Sequence, residues 1–410
     1  MHKKSVLLAL TVAFLGFGSA AFGNESEGEQ NTASHDETVQ QETHEHEEHA
    51  DHAHGEAEAH GEEHAAHDAH GEHGEEKFNV NEMIMHHIAD SHSFHILDYT
   101  DDAGEEHAVS VPLPVILWTD NGLVTFMSSA FHHDETGHHV AEVDGQRFIN
   151  VHGKIYYASE EQNAHGGWYE SHDGHPANAK PVDISITKNV FTMLLVAVLL
   201  LLIFGSTARY YKKNGAVAPK GLASFMEPLV VFVRDDIAKE NIGGKHYARF
   251  VPFLLTIFFF IWLNNLLGLI PFFPGSANVT GNIAVTMVLA IFAFLVTNLN
   301  GKKDYWLHVF WMPGVPYAVR PLLAIVEFVG LFTKPFALML RLFANITAGH
   351  ILVLSLISLI FMLSIGWSAL AVPLTLFISV LELLVAALQA YIFTLLTALF
   401  IGAAVEEHHH

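Results

Sequence analysis

Two apolar blocks near the end of the chain, 321–365 and 368–404, are each too long for one upright membrane crossing. A helix of about 40 residues extends ~60 Å, whereas the hydrocarbon core of a bilayer is about 30 Å thick. The segment between the two blocks, SIGWSAL (364–370), is long enough only for a turn. We therefore predict an antiparallel hairpin of two long helices that are steeply tilted or lie partly along the membrane.

Three shorter apolar blocks, 190–208, 250–272 and 282–299, each have the length of a single crossing. With the hairpin they predict an all-α polytopic membrane protein with five membrane helices. Eight lysines and arginines lie between the first and second blocks and three between the third and fourth, but 273–281 and 364–370 have none. Because basic loops stay in the cytoplasm, we predict an exported N-terminal part and a cytoplasmic C-terminus.

The connecting stretch 224–242, SFMEPLVVFVRDDIAKENI, alternates apolar and charged groups. This pattern suits a helix that lies on the cytoplasmic membrane surface. A helix in a soluble connector fits the pattern equally well, so both interpretations stay open.

The first 23 residues, MHKKSVLLALTVAFLGFGSAAFG, have the order of a secretory signal peptide. Lys3 and Lys4 precede an apolar core, and small residues follow it, with cleavage expected after Ala21 or Gly23. The alternative is a first membrane helix, but the apolar run is short and acidic sequence follows it. A signal peptide agrees with the orientation that the basic loops predict.

The net charge of -24 is distributed very unevenly. Residues 1–183 contain 35 of the 44 acidic residues, 25 of the 31 histidines and only 6 of the 20 lysines and arginines, for a net charge of -29. Residues 184–410 have a net charge of +5. Phosphates would repel so acidic an exported part, which argues against a nucleic-acid partner. The absence of cysteine excludes disulfides and thiolate metal sites.

The segment 24–77 consists almost entirely of Glu, His, Ala, Gly and Asp. We predict that it is disordered, because it has too few large apolar side chains to offset the entropy of folding. Its histidines could bind a divalent metal ion, or they could simply belong to a solvated acidic tail.

Residues 78–183 regain apolar content and predict a small exported β-rich region. Strand-like runs occur at 107–119, 122–131 and 147–159, separated by turn formers such as Asp120-Asn121-Gly122 and Asp144-Gly145. A membrane domain is predicted at 184–407, followed by a His tail at 408–410.

Polar side chains are few within the last two apolar blocks, and each costs several kcal/mol if it faces lipid. They are Glu327, Lys334, Arg341, Asn345, His350, Glu382 and Gln389. The two amides fit interhelical hydrogen bonding as well as a polar path, but the guanidinium cannot be neutralised by deprotonation. At about 100° per residue, Arg341 and Asn345 share a helix face, and His350 points away from Arg341.

In an antiparallel hairpin that turns near Trp367, His350 lies 17 residues before the turn and Glu382 lies 15 after it. We therefore expect the two side chains to meet, and Gln389 to approach the depth of Arg341. A histidine beside a carboxylate is suited to passing protons near neutral pH.

Several segments together are specific to one family. They are KPFALMLRLFANITAGH (334–350), LQAYIFTLLTALFIG (388–402), the terminal EEH, WLNNLLGLIPFFPGSANVTGN (262–282) and HHIADSH (86–92). Over about 78–410 the chain resembles subunit a of the F-type ATP synthase, a non-catalytic stator subunit beside the rotating c-ring.

The resemblance implies two offset proton half-channels to and from the c-ring carboxylate. Arg341 would face the rotor, draw the proton off that carboxylate and block leakage, with Asn345 and Gln389 supporting it. His350 and Glu382 resemble the pair in the exported-side channel, with the two residue types exchanged relative to many bacterial relatives. Glu327 would belong to the cytoplasmic path.

The implied partners are the c-ring, the peripheral-stalk b subunits, the rest of the ATP synthase and the lipid bilayer of a bacterial inner membrane. No cofactor and no metal ion is implied. Positions 268 and 278, often acidic in relatives, are Gly268 and Asn278 here, which leaves Asn265, Asn278 and Asn282 as candidates for the entry path.

Two other functions are compatible with parts of the sequence. A divalent-metal transporter would use the His-rich segment to gather metal, although His350 and Glu382 are isolated along the chain rather than one helical turn apart. A purely structural scaffold would leave Arg341 unexplained.

Overall fold

Among the described residues, strands lie between Ser93 and Asp183, and the chain from Lys188 to Val405 is mostly helical. The computed structural model describes residues 88–406, apart from 101–105, 173–174, 216, 244–245, 271–272, 313 and 363–364. The predicted signal peptide, the acidic segment 24–77 and the His tail lie outside these residues. All of the described residues belong to one compact unit.

The β-rich region contains ten short strands among its described residues. They are β1 (Ser93–Thr100), β2 (Glu106–Pro112), β3 (Pro114–Thr119), β4 (Gly122–Met127), β5 (Ala141–Val143), β6 (Gln146–Val151), β7 (Lys154–Tyr157), β8 (Ser171–His172), β9 (His175–Pro176) and β10 (Val182–Asp183). Two antiparallel sheets, β10-β3-β4 and β5-β6-β7, share one apolar core. Every second residue of β3 points into it, so that Val115 and Leu117 pack with Phe148 and Ile155.

The strand boundaries differ from those that the sequence predicts. The run 107–119 is two strands that separate at Leu113, whose backbone N–H donates to the carbonyl of His92. The run 122–131 is a strand only as far as Met127 and then turns as a 3-10 helix. The run 147–159 is a hairpin, because His152 and Gly153 both adopt positive φ (50° and 75°), the conformation of a tight type I′ turn.

Seven principal helices follow in the described part. They are α1 (Lys188–Asn214), α2 (Leu222–Phe232), α3 (Tyr247–Gly268), α4 (Ile283–Leu299), α5 (Lys303–Phe310), α6 (Arg320–Met362) and α7 (Ile365–Val405). Four of them are long and apolar enough to cross a membrane, or five spans result if α4 and α5, bent by 107°, count as one. The predicted five membrane helices lie within this range.

The last two helices pack against each other as an antiparallel pair. His350 of α6 contacts Glu382 of α7, and Lys334, further from the turn, lies over the ring of Phe400, also further from the turn. This confirms the antiparallel arrangement, whereas the steep tilt in the membrane stays a prediction.

Helix α3 is the centre of the helical region. Its apolar side chains, among them Phe250, Leu254 and Ile261, are buried between α1, α4 and α7. The most apolar stretch of α3 is 56% buried, compared with 17% for those of α1, α6 and α7. The outer helices therefore expose broad apolar surfaces, as expected for contact with lipid or partner subunits.

The connecting stretch 224–242 is helical and packs against the membrane helices. α2 continues through a π-helical segment, Val233–Lys239, to Ile242. Val233 and Ile237 are fully buried, and Phe232 packs on Tyr391 of α7, whereas Arg234 is exposed. Its apolar face thus packs on α3 and α7, and its position on the cytoplasmic membrane surface stays a prediction.

The β-rich region meets the helices around the loop before α4. Phe94 and Leu113 from the strands pack with Ala277 and Val279 of this loop and with Phe191 of α1. The β-rich region is thus joined directly to the loop that carries Asn278 and Asn282.

Candidate functional site

The histidine and the carboxylate that the hairpin predicts to be neighbours do meet. His350 Nδ1 lies 3.7 Å from Glu382 Oε1. The Glu382 side chain is only 6% exposed, and its Oε1 is buried without a hydrogen-bond partner. A buried carboxylate oxygen next to a titratable imidazole is a rare arrangement in an apolar helical region, and it is suited to exchanging a proton.

Two glycines make room for this pair. A Cβ atom at Gly349 would lie 3.0 Å from Glu382 Oε1, and one at Gly268 would lie 3.0 Å from the carbonyl oxygen of Ala277 and 3.7 Å from His350 Nε2. Gly268 therefore adjoins His350, at a position where the resemblance expects an acid. The role of Gly349 is not visible in the sequence, because the reason for the glycine lies on the facing helix.

Buried amides continue the site towards the β-rich region. Asn265 Nδ2 donates to the carbonyl of Ala386, and Asn265 Oδ1 accepts from Thr280. Asn278 is 5% exposed, and both of its side-chain polar atoms are buried without a partner. Asn282 instead caps α4, because its Oδ1 accepts from the backbone N–H of Ala284. Of the three candidates for the entry path, Asn265 and Asn278 fit the site and Asn282 has a structural task.

Arg341 lies on the outer surface of α6. Its side chain is exposed and makes no hydrogen bond or ion pair with the described residues, and Asn345, one turn further on, is also exposed. The neighbouring Phe336 and Leu340 are exposed and apolar. An arginine in the middle of an apolar helix surface is costly if the surface faces lipid.

The other predicted residues lie apart from these two groups. Gln389 is buried at 4% exposure and forms no hydrogen bond with Arg341 in the described structure, and its approach to the depth of Arg341 stays a prediction. Glu327 is half-buried and close enough to Tyr305 for the two to interact electrostatically. Within the described ranges of 88–406, no three His, Cys, Asp or Glu residues are grouped so as to hold a metal ion.

The comparison with known families agrees with these features. The model of the family described as ATP synthase A chain matches residues 190–402, which is more than half of the chain. The chain belongs to this family. The resemblance to F-type ATP synthase subunit a is thereby confirmed. The model of a second family, described as a domain of unknown function (DUF8433), matches residues 83–184, the β-rich region.

Individual proteins named ATP synthase subunit a are similar over more than half of this chain. The chain is 53% identical over 234 residues to the ATP synthase subunit a of Chloroherpeton thalassium, covering 56% of this chain and 69% of the relative. It is 47% identical over 259 residues to that of an Anaeromyxobacter species, covering 61% and 62%. It is 47% identical over 236 residues to that of Chlorobium phaeobacteroides, covering 56% and 68%. The chain thus spans about two thirds of the length of these relatives.

Proposed function

We propose that this chain is the proton-conducting stator subunit of an F-type ATP synthase membrane sector. The observation that carries the proposal is the exposed position of Arg341 on an apolar face of α6, without a partner in the described structure. The c-ring, with a carboxylate at mid-membrane depth, is the partner that would satisfy it. The relatives carry the name of the same subunit.

Arg341 would act by its fixed positive charge. When the carboxylate of a passing c subunit comes close, the guanidinium favours its ionised form, so the proton leaves for the half-channel that is then open. The same charge opposes the passage of a free proton along this face. Protons would therefore cross only with the rotor, which couples their flow to rotation and ATP synthesis.

The exported-side half-channel would end at Glu382 and His350. Their separation of 3.7 Å allows a small side-chain movement or one water molecule to pass a proton between them. Asn265 and Asn278 would line the way from the exported side, and Gln389 and Asn345 would support the rotor-facing region. Glu327 would line the second half-channel, which leads to the cytoplasm.

The chain would itself make and break no covalent bond, so we propose a channel subunit and not an enzyme. Its N-terminal part would be exported and its C-terminus cytoplasmic, in a bacterial inner membrane. Peripheral-stalk b subunits would hold it against the turning c-ring. The metal-transporter alternative has no observation in its favour in the described residues, and membership of the ATP synthase A chain family argues against it.

The proposal is tested by changing Arg341→Ala in the assembled complex and measuring ATP synthesis driven by a proton gradient in membrane vesicles. We expect synthesis to fall to the background. Arg320→Ala is the matched control, because Arg320 stands at the start of the same helix and stacks on Tyr317 and Trp311. Synthesis at the wild-type rate in assembled Arg341→Ala complexes would show that the proposal is wrong.

A further inference from the structure

A buried histidine connects the surface of the β-rich region with the first turn of α1. His92 is 3% exposed, and its Nε2 lies 3.2 Å from Oδ2 of Asp183. The Asp183 side chain is 19% exposed, so one end of this pair reaches solvent. The other ring nitrogen, His92 Nδ1, is buried without a hydrogen-bond partner. The imidazole thus has one nitrogen towards a solvent-accessible carboxylate and one towards the interior.

Charged groups surround this histidine on both sides. Hydrogen bonds from His92 and Ser185 hold the pKa of Asp183 below its usual range, although its burial alone would raise it. Desolvation raises the pKa of Asp90, whose Oδ1 accepts from the backbone N–H of Asn189. Lys188 interacts electrostatically with Asp90 and with Glu135. The junction therefore holds several titratable groups in a small volume. None of them has a role in the proposed function.

Further buried polar atoms without a partner lie in α1 and in the loop before α4. Asn189 Oδ1 and Thr192 Oγ1, in the first turns of α1, are both buried without a hydrogen-bond partner. Phe191, between them, packs on Ala277 and Val279, next to the unpartnered Asn278. A Cβ atom at Gly268 would lie within 4 Å of both the Ala277 carbonyl and His350 Nε2, so the loop adjoins the candidate site.

Unpartnered polar atoms recur on successive elements from the strands to the helix pair. Ten buried side-chain polar atoms lack a partner in the described residues, and six of them belong to His92, Asn189, Thr192, Asn278 and Glu382. Buried polar groups in folded proteins nearly always have a partner, and where protein supplies none it is commonly water. A series of such atoms that ends at a titratable pair is what a hydrated proton path requires.

We propose that the exported-side proton route starts in the β-rich region, at Asp183 and His92, and passes Asn189, Thr192 and Asn278 to reach Glu382. This inference rests on the proposed function. At rest His92 Nε2 donates its proton to the Asp183 carboxylate, so rotation of the ring would turn this N–H inward and bring Nδ1 to Asp183. A proton that Asp183 has taken up from solvent can then pass to Nδ1 while the proton on Nε2 leaves inward. The β-rich region would then be part of the channel and not only an exported appendage.

The test replaces His92→Gln, which retains a side-chain N–H group but cannot pass a proton through a ring. In inverted membrane vesicles we expect proton-driven ATP synthesis to fall roughly tenfold or more, as for the loss of a proton-transfer group. Added imidazole, a diffusible proton carrier, should restore part of the rate. His139→Gln is the control, because His139 Nδ1 is also buried without a partner in the same region but stacks on His132.

A second variant separates proton transfer from folding. Thr192→Val preserves the volume of a fully buried side chain and removes only its hydroxyl, and we expect it also to slow synthesis while the amount of assembled complex on native gels is unchanged. Wild-type rates in assembled Thr192→Val and His92→Gln complexes, with Arg341→Ala inactive, would overturn this inference and leave the proposed function standing. Activity in Arg341→Ala would instead overturn the proposed function itself.

Discussion

The side chains proposed to move protons form two groups, exposed Arg341 on the outside of α6 and the largely buried pair of His350 and Glu382. The number of residues from the turn predicts that His350 and Glu382 meet. In two antiparallel helices, residues at equal distances from the turn lie at the same depth. Helical spacing also separates Arg341 from His350, and the structure leaves Arg341 exposed on the outside of α6. Each of these predictions depends only on regular helix geometry.

Other side chains could not be predicted, because their reasons are not local. Gly349 matters because of Glu382, 33 positions later, and His92 matters because of Asp183, 91 positions later. Asn278 is notable only for its lack of partners, which no sequence pattern reveals. Contacts between distant segments need the tertiary structure.

The small size of residue 349 leads to a specific prediction. A valine at Gly349 would displace the Glu382 carboxylate, because even a Cβ atom would lie 3.0 Å from Oε1. Misplacing a reacting group by about 1 Å can cost up to ~10²-fold in rate, so we expect Gly349→Val to lower proton-driven ATP synthesis by roughly tenfold to a hundredfold. Gly330→Val is the control on the same helix, because a Cβ atom there meets nothing within 4 Å. Equal rates in the two variants would contradict the positioning of Glu382 by Gly349.

Helices and strands differ in how well the sequence defines their limits. Helix α1 continues to Asn214, beyond the apolar block that ends near 208, because the basic residues there are good helix formers and Gly215 then ends it with positive φ. The hairpin at 152–153 was missed because His152, unlike asparagine, gives little warning of a left-handed backbone. Apolar periodicity identifies the elements, and turn chemistry sets where they stop.

The packing of the 224–242 helix on α7 can be tested at Gly402. A Cβ atom at this position would collide with the backbone carbonyl of Asn241, which cannot move aside as a flexible side chain could. We expect Gly402→Ala to destabilise the subunit by about 1–3 kcal/mol, the usual cost of overpacking. Thermal unfolding of the purified complex measures this effect. Gly205→Ala is the control, since its Cβ would meet only the Arg209 guanidinium at 3.8 Å, and a similar loss in both variants would refute the close packing.

The molecule as a whole divides into parts with different physical characters. Residues 1–183 carry a net charge of -29 and the remainder +5, and it is the basic loops between the apolar blocks that predict an exported part and a membrane part. The sequence does not reveal that the β-rich region packs on the loop before α4, through Phe94 and Leu113. That contact joins the domain of unknown function to the ATP synthase A chain region, and it is the basis for extending the proton route outward.

Passive proton conduction is the most direct measurement of whether Arg341 separates two half-channels. In vesicles stripped of the catalytic sector, we expect Arg341→Ala to leak protons faster than Arg320→Ala, because the charge that blocks direct passage is gone. Adding Glu382→Gln should return the leak to the Arg320→Ala level, because the exported-side path then lacks its terminal carboxylate. If the double variant leaks as fast as Arg341→Ala alone, protons do not pass through Glu382, and the proposed route is wrong.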